Sequence, residues 1–166
     1  MSTPVHPARF PAFCWPLLLL FAGLPAPLLA QPASAPAKAN YFGDPFLQLT
    51  WGMADCPQAE GPEITEEQHR AQAHARTERG TACYQSGRCR LPNAYLYDQE
   101  IIPRVKKAVD ADGRFAGTSV WALGQRRWVW LRGCVRDGAQ SRALEQLVRQ
   151  IDDVEGVVNE LQIRTP

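Results

Sequence analysis

Cysteine is the residue type in this sequence whose number and spacing point most directly to chemistry. The 166-residue chain has five cysteines, and Cys14 lies in an apolar stretch near the N-terminus. The four that follow are Cys56, Cys83, Cys89 and Cys134. An even number of cysteines in an exported chain predicts two disulfides.

Zinc binding is the alternative chemistry for these cysteines, because His69 and His74 lie between Cys56 and Cys83. However, five residues separate Cys83 from Cys89, which is wider than a zinc knuckle uses. The two histidines would also lie about 140° apart on a helix. The sequence therefore favours disulfides over a zinc site.

Motifs for enzymatic chemistry are missing from the sequence. It has no G-x-S-x-G, H-E-x-x-H or C-x-x-C motif and no glycine-rich phosphate loop. The pairs Asp110/Asp112 and Asp152/Asp153 are typical of solvated helix ends. The 18 Lys and Arg nearly balance the 17 Asp and Glu, which argues against the basic field of a nucleic-acid-binding protein. We therefore predict no enzymatic activity, no metal, no cofactor and no nucleic-acid partner.

The first 30 residues have the layout of a secretory signal peptide. Arg9 precedes an uncharged stretch that lasts until Lys38, with an apolar centre at Leu17–Leu24. A membrane-spanning helix is the competing interpretation, but three prolines would interrupt it: Pro16, Pro25 and Pro27. We expect cleavage after Ala30, with Ala37 as the alternative site, and a periplasmic mature protein. Removal of Arg9 leaves equal numbers of cationic and anionic side chains.

Composition divides the remaining chain into three parts. Residues 31–40 are rich in Pro and Ala and predict a flexible spacer. Residues 41–96 contain three of the four cysteines, and residues 97–164 show regular apolar periodicity. The stretch 41–63 holds aromatic and turn-forming residues without a clear period.

A polar helix is predicted within the middle part. Thr65 can act as its N-cap, Gln68 completes a capping box, and Gly80 can end it. Its interior, Glu66–Arg79, has no large aliphatic residue, so the helix would bury little apolar area. Cys83 lies three residues past the predicted end and could fasten the helix.

The C-terminal part predicts the element order αββαβ. Its elements are a helix from an Asp98 N-cap to Gly113, strands Thr118–Leu123 and Trp128–Val135 joined by a turn at 124–127, a helix near Asp137–Ile151, and a strand at Val157–Ile163. This order indicates an α+β sandwich with the helices on one face of a small sheet.

Three runs of this part occur in a characteristic order: Val129-Trp-Leu-Arg-Gly-Cys-Val135, the helix Ser141–Ile151, and Val154-Glu-Gly-Val-Val-Asn-Glu-Leu-Gln-Ile163. They resemble the BON domain of bacterial envelope proteins, whose pattern is V-x-L-x-G-x-V, a helix, and G-V-x-x-V-x-N-x-L-x-V. The sequence departs from this pattern at Asp153, where the family usually has glycine. The resemblance covers residues 97–164. It implies the αββαβ fold and binding rather than catalysis, through attachment to phospholipid surfaces or envelope proteins in the periplasm.

Strand alternation predicts an apolar outer face on the sheet. If Val129, Leu131 and Val135 face the helices, then the side chains that face away are Trp121, Leu123, Trp128, Trp130, Arg132 and Cys134. So large an apolar face requires an explanation. Either residues 41–96 cover it with aromatic side chains (Tyr41, Phe46, Trp51, Tyr84, Tyr95 or Tyr97), or part of it stays open as a lipid or partner site.

A cluster of arginines lies beside these tryptophans. It keeps a hairpin edge soluble, or it supplies cations for phosphate headgroups next to tryptophans that suit the membrane interface. The candidate lipid- or partner-binding residues are Arg126, Arg127, Trp128, Trp130 and Arg132. The sequence therefore predicts a non-enzymatic periplasmic module that engages phospholipid headgroups or an envelope protein, supports envelope integrity and associates peripherally with the membrane. The alternative is a structural accessory that docks on a secretion or cell-wall assembly.

The pairing of the cysteines also follows from their positions. The C-terminal part has one cysteine, so Cys134 must find its partner in residues 41–96. A short Cys83–Cys89 loop would leave Cys56 for Cys134, with 77 residues between them. The competing pairing joins Cys56 to Cys83 or Cys89 and leaves the other for Cys134. Both predict a disulfide that tethers the middle part to the outer face of the sheet.

Overall fold

A computed structural model of the chain describes residues 35–164. The predicted signal peptide and residues 31–34 of the predicted spacer lie outside the described residues. The elements are β1 (Lys38–Ala39), β2 (Phe46–Trp51), β3 (Ile64–Thr65), α1 (Glu66–Gln85), a 3₁₀ helix (Ala94–Tyr97), α2 (Asp98–Asp112), β4 (Ser119–Gln125), β5 (Trp128–Val135), α3 (Gly138–Arg149) and β6 (Gly156–Ile163). The predicted α+β class and the αββαβ order of the C-terminal part are confirmed.

The main sheet has four strands in the order β2-β4-β5-β6. Strands β2, β4 and β5 pair antiparallel, whereas β5 and β6 are parallel and are connected through α3. Helices α2 and α3 cover one face. The core beneath them contains Ile101, Ile102, Val105, Val109, Leu144 and Val148 from the helices and Val120, Ala122, Val129, Leu131 and Val135 from the sheet. The predicted alternation of β4 and β5 is therefore correct.

Strand β2 is an addition to the sheet that the sequence pattern does not predict. It comes from the middle part of the chain and pairs with β4, and its register shifts between Gln48 and Thr50. This irregularity breaks the alternation of side chains within β2, so the sequence of this strand shows no clear period. The Thr50 hydroxyl lies 2.8 Å from the Thr118 hydroxyl and accepts the Val120 N–H at 3.0 Å. These buried bonds fix β2 to the edge of the sheet.

Helix α1 begins as predicted but ends later. Thr65 and Gln68 form the capping box, with hydrogen bonds of 2.9 and 3.2 Å. The prediction that Gly80 ends the helix is wrong, because α1 continues to Gln85. Gly80 is its one buried residue, and a Cβ there would lie 2.5 Å from the Asn93 side-chain oxygen. Close packing against the loop before α2, rather than helix termination, therefore requires this glycine.

Helix α2 begins one residue away from the position that the sequence predicts. Asp98 was expected to be its N-cap, but Tyr97 occupies that position and Asp98 is the first helical residue. The helix ends at Gly113 as predicted, in the left-handed conformation with φ 71°. The turn between β4 and β5 is also shorter than predicted, because Gly124 belongs to β4. Among the described residues, no helix is both long and apolar enough to cross a membrane.

Candidate binding surface

The four cysteines form two disulfides. Cys56 is bonded to Cys134 and Cys83 to Cys89, which is the first of the two predicted pairings. None of the four is therefore a thiolate that could hold zinc. Within residues 35–164, no group of three or more His, Cys, Asp or Glu side chains is arranged to bind a metal ion.

One half of the outer sheet face is covered by the loop of residues 52–63, which we name the covering loop. Cys56 fastens it to Cys134 on β5. The Ser119 hydroxyl donates to the Met53 carbonyl at 2.9 Å and accepts the Met53 N–H at the same distance. The Arg132 guanidinium donates to the Glu60 carbonyl at 2.8 Å. The backbone of the covering loop and the Cys56–Cys134 disulfide thus cover this half of the outer face.

The aromatic side chains expected to cover this face are exposed or packed elsewhere, with one exception. Trp51 is 64% exposed, and Tyr41 and Tyr84 are also exposed. Tyr97 is buried in the core beside the helices, and its hydroxyl accepts two backbone N–H groups. Phe46 is the exception, because it pairs with Leu123 and shares its face of the sheet.

The other half of the outer face carries a row of apolar side chains across all four strands. Strand register places Phe46, Leu123, Trp130 and Val158 side by side, and we name them the apolar row. Leu123 is buried, while the other three are half-buried. Trp128 lies two register positions from Trp130 toward the turn, on the same face, and a Cβ on Gly156 would lie 2.6 Å from its ring. The close approach requires glycine at this position of β6.

The two-residue turn between β4 and β5, at the end of the sheet next to the apolar row, is held by one buried carboxylate. Arg126 and Arg127 have φ values of 58° and 69°, a conformation that suits a two-residue hairpin but is costly for non-glycine residues. The Asp98 carboxylate accepts the N–H of Arg126 at 2.6 Å and that of Arg127 at 2.8 Å. Burial raises the pKa of Asp98 to about 7, although these two hydrogen bonds favour the charged form. Asp98 therefore anchors the hairpin to α2.

The three candidate arginines have different surroundings. Arg127 donates to the Asp153 carbonyl at 2.8 Å and to the Cys89 sulfur at 3.4 Å, and its guanidinium lies over the Tyr97 ring. Arg132 pairs with Glu160 at 2.7 Å and also holds the covering loop. For the Arg126 side chain, the described residues provide no hydrogen-bond or ion-pair partner. Of the three, Arg126 alone keeps its guanidinium uncommitted within residues 35–164.

The structure thus brings together Arg126, Trp128 and Trp130 at one end of the sheet and adds Phe46 and Val158 to them. Sequence reasoning missed Val158 and named Phe46 only as one of six aromatic residues that could cover the face, because strand pairing is what aligns both with Trp130. Apolar rings and a guanidinium can contact an apolar or anionic surface.

The family's glycine position also has a physical explanation in this chain. Asp153 adopts φ 71°, the left-handed conformation that glycine favours. Its carboxylate accepts from Arg104 at 3.2 Å and from Arg90 at 3.4 Å. The turn into β6 therefore keeps the backbone that a glycine would give, held by ion pairs.

Comparison with known proteins agrees with this geometry. Residues 97–165 match the sequence model of the BON domain family, a range that includes α2, β4, β5, α3 and β6. No curated protein matches the chain. BON domain proteins are typically found in the bacterial envelope, and the domain is generally not catalytic. Residues 97–165 of the chain therefore form a BON domain.

Proposed function

We propose that this protein is a non-enzymatic binding module of the bacterial periplasm that attaches peripherally to phospholipid surfaces through the apolar row. The observation that carries the proposal is the row itself, in which Phe46, Trp130 and Val158 remain half-buried beside one another while the covering loop occupies the rest of the face. Tryptophan suits the boundary between headgroups and acyl chains, because its ring is apolar and its N–H is polar.

Charge has a smaller part in the proposed attachment. Because Arg127 and Arg132 have partners within the protein, Arg126 is the candidate that can reach a phosphate headgroup. One cation near an anionic membrane contributes about 1 kcal/mol at low salt. We therefore expect binding to depend moderately on salt and mainly on apolar contact.

Vesicle co-sedimentation tests the proposal. The purified protein should bind vesicles that contain phosphatidylglycerol, and Trp130→Ala should weaken binding roughly tenfold, because the apolar row loses its largest side chain. Trp51→Ala is the matched control, since Trp51 is more exposed than Trp130 but lies outside the row. A folded Trp130→Ala protein that binds like the wild type would contradict the proposal.

The charge contribution is tested in the same assay. Arg126→Gln should lower binding to phosphatidylglycerol vesicles several-fold and leave binding to phosphatidylcholine vesicles unchanged. Lys107→Gln changes an exposed cation of α2, on the opposite side of the sheet, and should have no effect. Equal losses in the two variants would show that net charge, not the position of Arg126, determines binding.

A structural accessory role is the second candidate function, and α1 favours it. This polar helix of 20 residues lies outside the matched BON range and presents most of its side chains to solvent. Such a surface suits docking on a protein assembly of the envelope. Binding to envelope protein without any binding to vesicles would favour this function over the first.

Export is part of the proposal and has its own test. We expect the protein isolated from the periplasm to begin at Gln31 or at Lys38, because the apolar stretch before Ala30 has the layout of a signal peptide. Mass spectrometry of the intact protein measures its N-terminus. A protein that retains Met1 in a membrane fraction would contradict cleavage.

A further inference from the structure

The two disulfides lie in opposite electrostatic surroundings. The Cys89 sulfur accepts a hydrogen bond from the Arg127 guanidinium at 3.4 Å. The Cys56 sulfur instead lies 3.6 Å from the carbonyl oxygens of Pro57 and Ser119. A cation stabilises a thiolate and a carbonyl oxygen destabilises one. The surroundings of the Cys89 sulfur therefore favour a thiolate, and those of the Cys56 sulfur do not.

We propose that Cys83–Cys89 is a site of thiol–disulfide exchange with a dithiol protein of the envelope, whereas Cys56–Cys134 is a permanent cross-link. Exchange is faster when the departing sulfur is a stable thiolate. Cys89 is such a leaving group because Arg127 contacts it. The proposal concerns an activity of the middle part of the chain and does not depend on lipid binding.

The exchange proceeds in two balanced steps. A thiolate of the dithiol partner forms a bond to the Cys83 sulfur, the Cys83–Cys89 bond breaks, and its electron pair leaves on Cys89 as a thiolate beside Arg127. The second thiol of the partner then loses its proton, and its sulfur attacks the partner sulfur that is bonded to Cys83. Cys83 leaves as a thiolate and takes up this proton. The partner is oxidised to a disulfide, and the Cys83–Cys89 bond is reduced by two electrons.

Access to the two disulfides agrees with this assignment. Cys83 lies in the last turn of α1, is half-buried, and is followed by exposed residues up to Arg88. An attacking thiol can therefore approach it from solvent. Cys134 is 1% exposed, and its partner Cys56 is held against the sheet by the bonds of Met53 to Ser119. Attack there would require the covering loop to open.

Limited reduction of the intact protein tests the proposal. Dithiothreitol serves as the dithiol probe, free thiols are trapped by alkylation, and peptide mapping identifies them. Cys83 and Cys89 should be labelled at least about tenfold faster than Cys56 and Cys134. A monothiol probe should be trapped on Cys83 and not on Cys89. Equal rates for the two disulfides, or trapping on Cys89, would overturn the proposal.

A pair of variants isolates the role of Arg127. Arg127→Gln should slow reduction of Cys83–Cys89 about threefold, because the departing thiolate loses its cation. Arg126→Gln, in the same turn but without contact to Cys89, should not change the rate. An unchanged or faster rate in Arg127→Gln would overturn the assignment of Cys89 as the leaving group.

A third variant gives a measurement that does not depend on the stability of Arg127→Gln. In Cys83→Ser, the Cys89 thiol is free and Arg127 is retained. Its alkylation rate should reach half its maximum at a lower pH in the folded protein than in urea, because Arg127 favours the thiolate. Equal midpoints in the two states would overturn the proposal.

Discussion

At the residue scale, Asp98 shows how one buried carboxylate sets the geometry of the turn between β4 and β5. Its oxygens accept both N–H groups of the turn residues Arg126 and Arg127, which hold a left-handed backbone that side chains ordinarily avoid. The same burial that excludes water from these bonds disfavours the charge on the carboxylate. Asp98 thus couples the position of Arg126 to the protonation of a group in α2.

This coupling predicts a pH dependence of stability. The pKa of Asp98 is raised from 3.8 in the unfolded chain to about 7, so the folded protein binds the proton more tightly. The contribution of Asp98 to the free energy of unfolding is then greatest below the unfolded pKa and is lost as the pH rises toward 7. Asp98→Asn, which cannot titrate, should remove this part of the pH dependence.

Urea unfolding of both proteins across this pH interval measures the effect. Asp98→Asn should be less stable than the wild type at low pH, where the contribution of Asp98 is greatest, because the amide has a single oxygen to accept the two N–H groups. Its stability should nevertheless change less with pH than that of the wild type. Parallel pH profiles for the two proteins would contradict a raised pKa at Asp98.

At the scale of elements, α1 is a helix held by polar contacts. Its Arg76 guanidinium pairs with the buried Asp44 and lies between the rings of Phe42 and Tyr95, at 4.2 and 3.7 Å from their centres. Asp44 in turn accepts from Gln125 of β4 at 2.6 Å. Because α1 has no apolar face, these contacts and the Cys83–Cys89 disulfide take the place of hydrophobic packing.

Replacing Arg76 should therefore destabilise the protein strongly. Arg76→Met keeps much of the side-chain volume but leaves the Asp44 carboxylate buried without its cation, which should cost about 3 kcal/mol in free energy of unfolding. Arg79→Met changes an exposed cation of the same helix and should cost less than about 0.5 kcal/mol. Urea unfolding measures both, and similar values would contradict the polar docking of α1.

The elements also show what the sequence could and could not predict. Strands β4 and β5 are apolar runs on either side of a turn, and α3 has a clear helical apolar period, so their order and inward faces were predictable from local pattern. Strand β2 was not, because its register shift hides the alternation. Asp98 and Gly80 were predicted as helix ends from residue type, but tertiary contacts with the turn and with Asn93 determine their positions.

The sequence also predicted part of the candidate binding surface. Alternation alone placed Trp128 and Trp130 on the face away from the helices, and the structure agrees. The engagement of Arg127 and Arg132 was not predictable, because their partners Asp153 and Glu160 are brought to them by the parallel pairing of β6 with β5. Pairing between distant segments leaves no local signal in a single sequence.

At the scale of the whole molecule, the Cys56–Cys134 disulfide makes one folding unit of two parts of the chain that differ in composition. It holds the covering loop over the outer face, where Trp121 is 6% exposed despite lying on the side away from the helices. Without this loop, Trp121 would add to the exposed apolar surface next to the apolar row. The tether therefore limits the apolar surface to the part proposed to bind.

Removing the tether should both destabilise the protein and enlarge its apolar surface. The double variant Cys56→Ser/Cys134→Ser frees a loop of 77 intervening residues in the unfolded chain, which the chain-entropy account values at about 4 kcal/mol. Cys83→Ser/Cys89→Ser is the matched control, because its short loop is worth about 2 kcal/mol. The first variant alone should also increase the binding of an apolar dye, since Trp121 loses its cover. Equal losses of stability in the two variants, or unchanged dye binding in the first, would show that hydrogen bonds such as those between Met53 and Ser119 hold the covering loop without the disulfide.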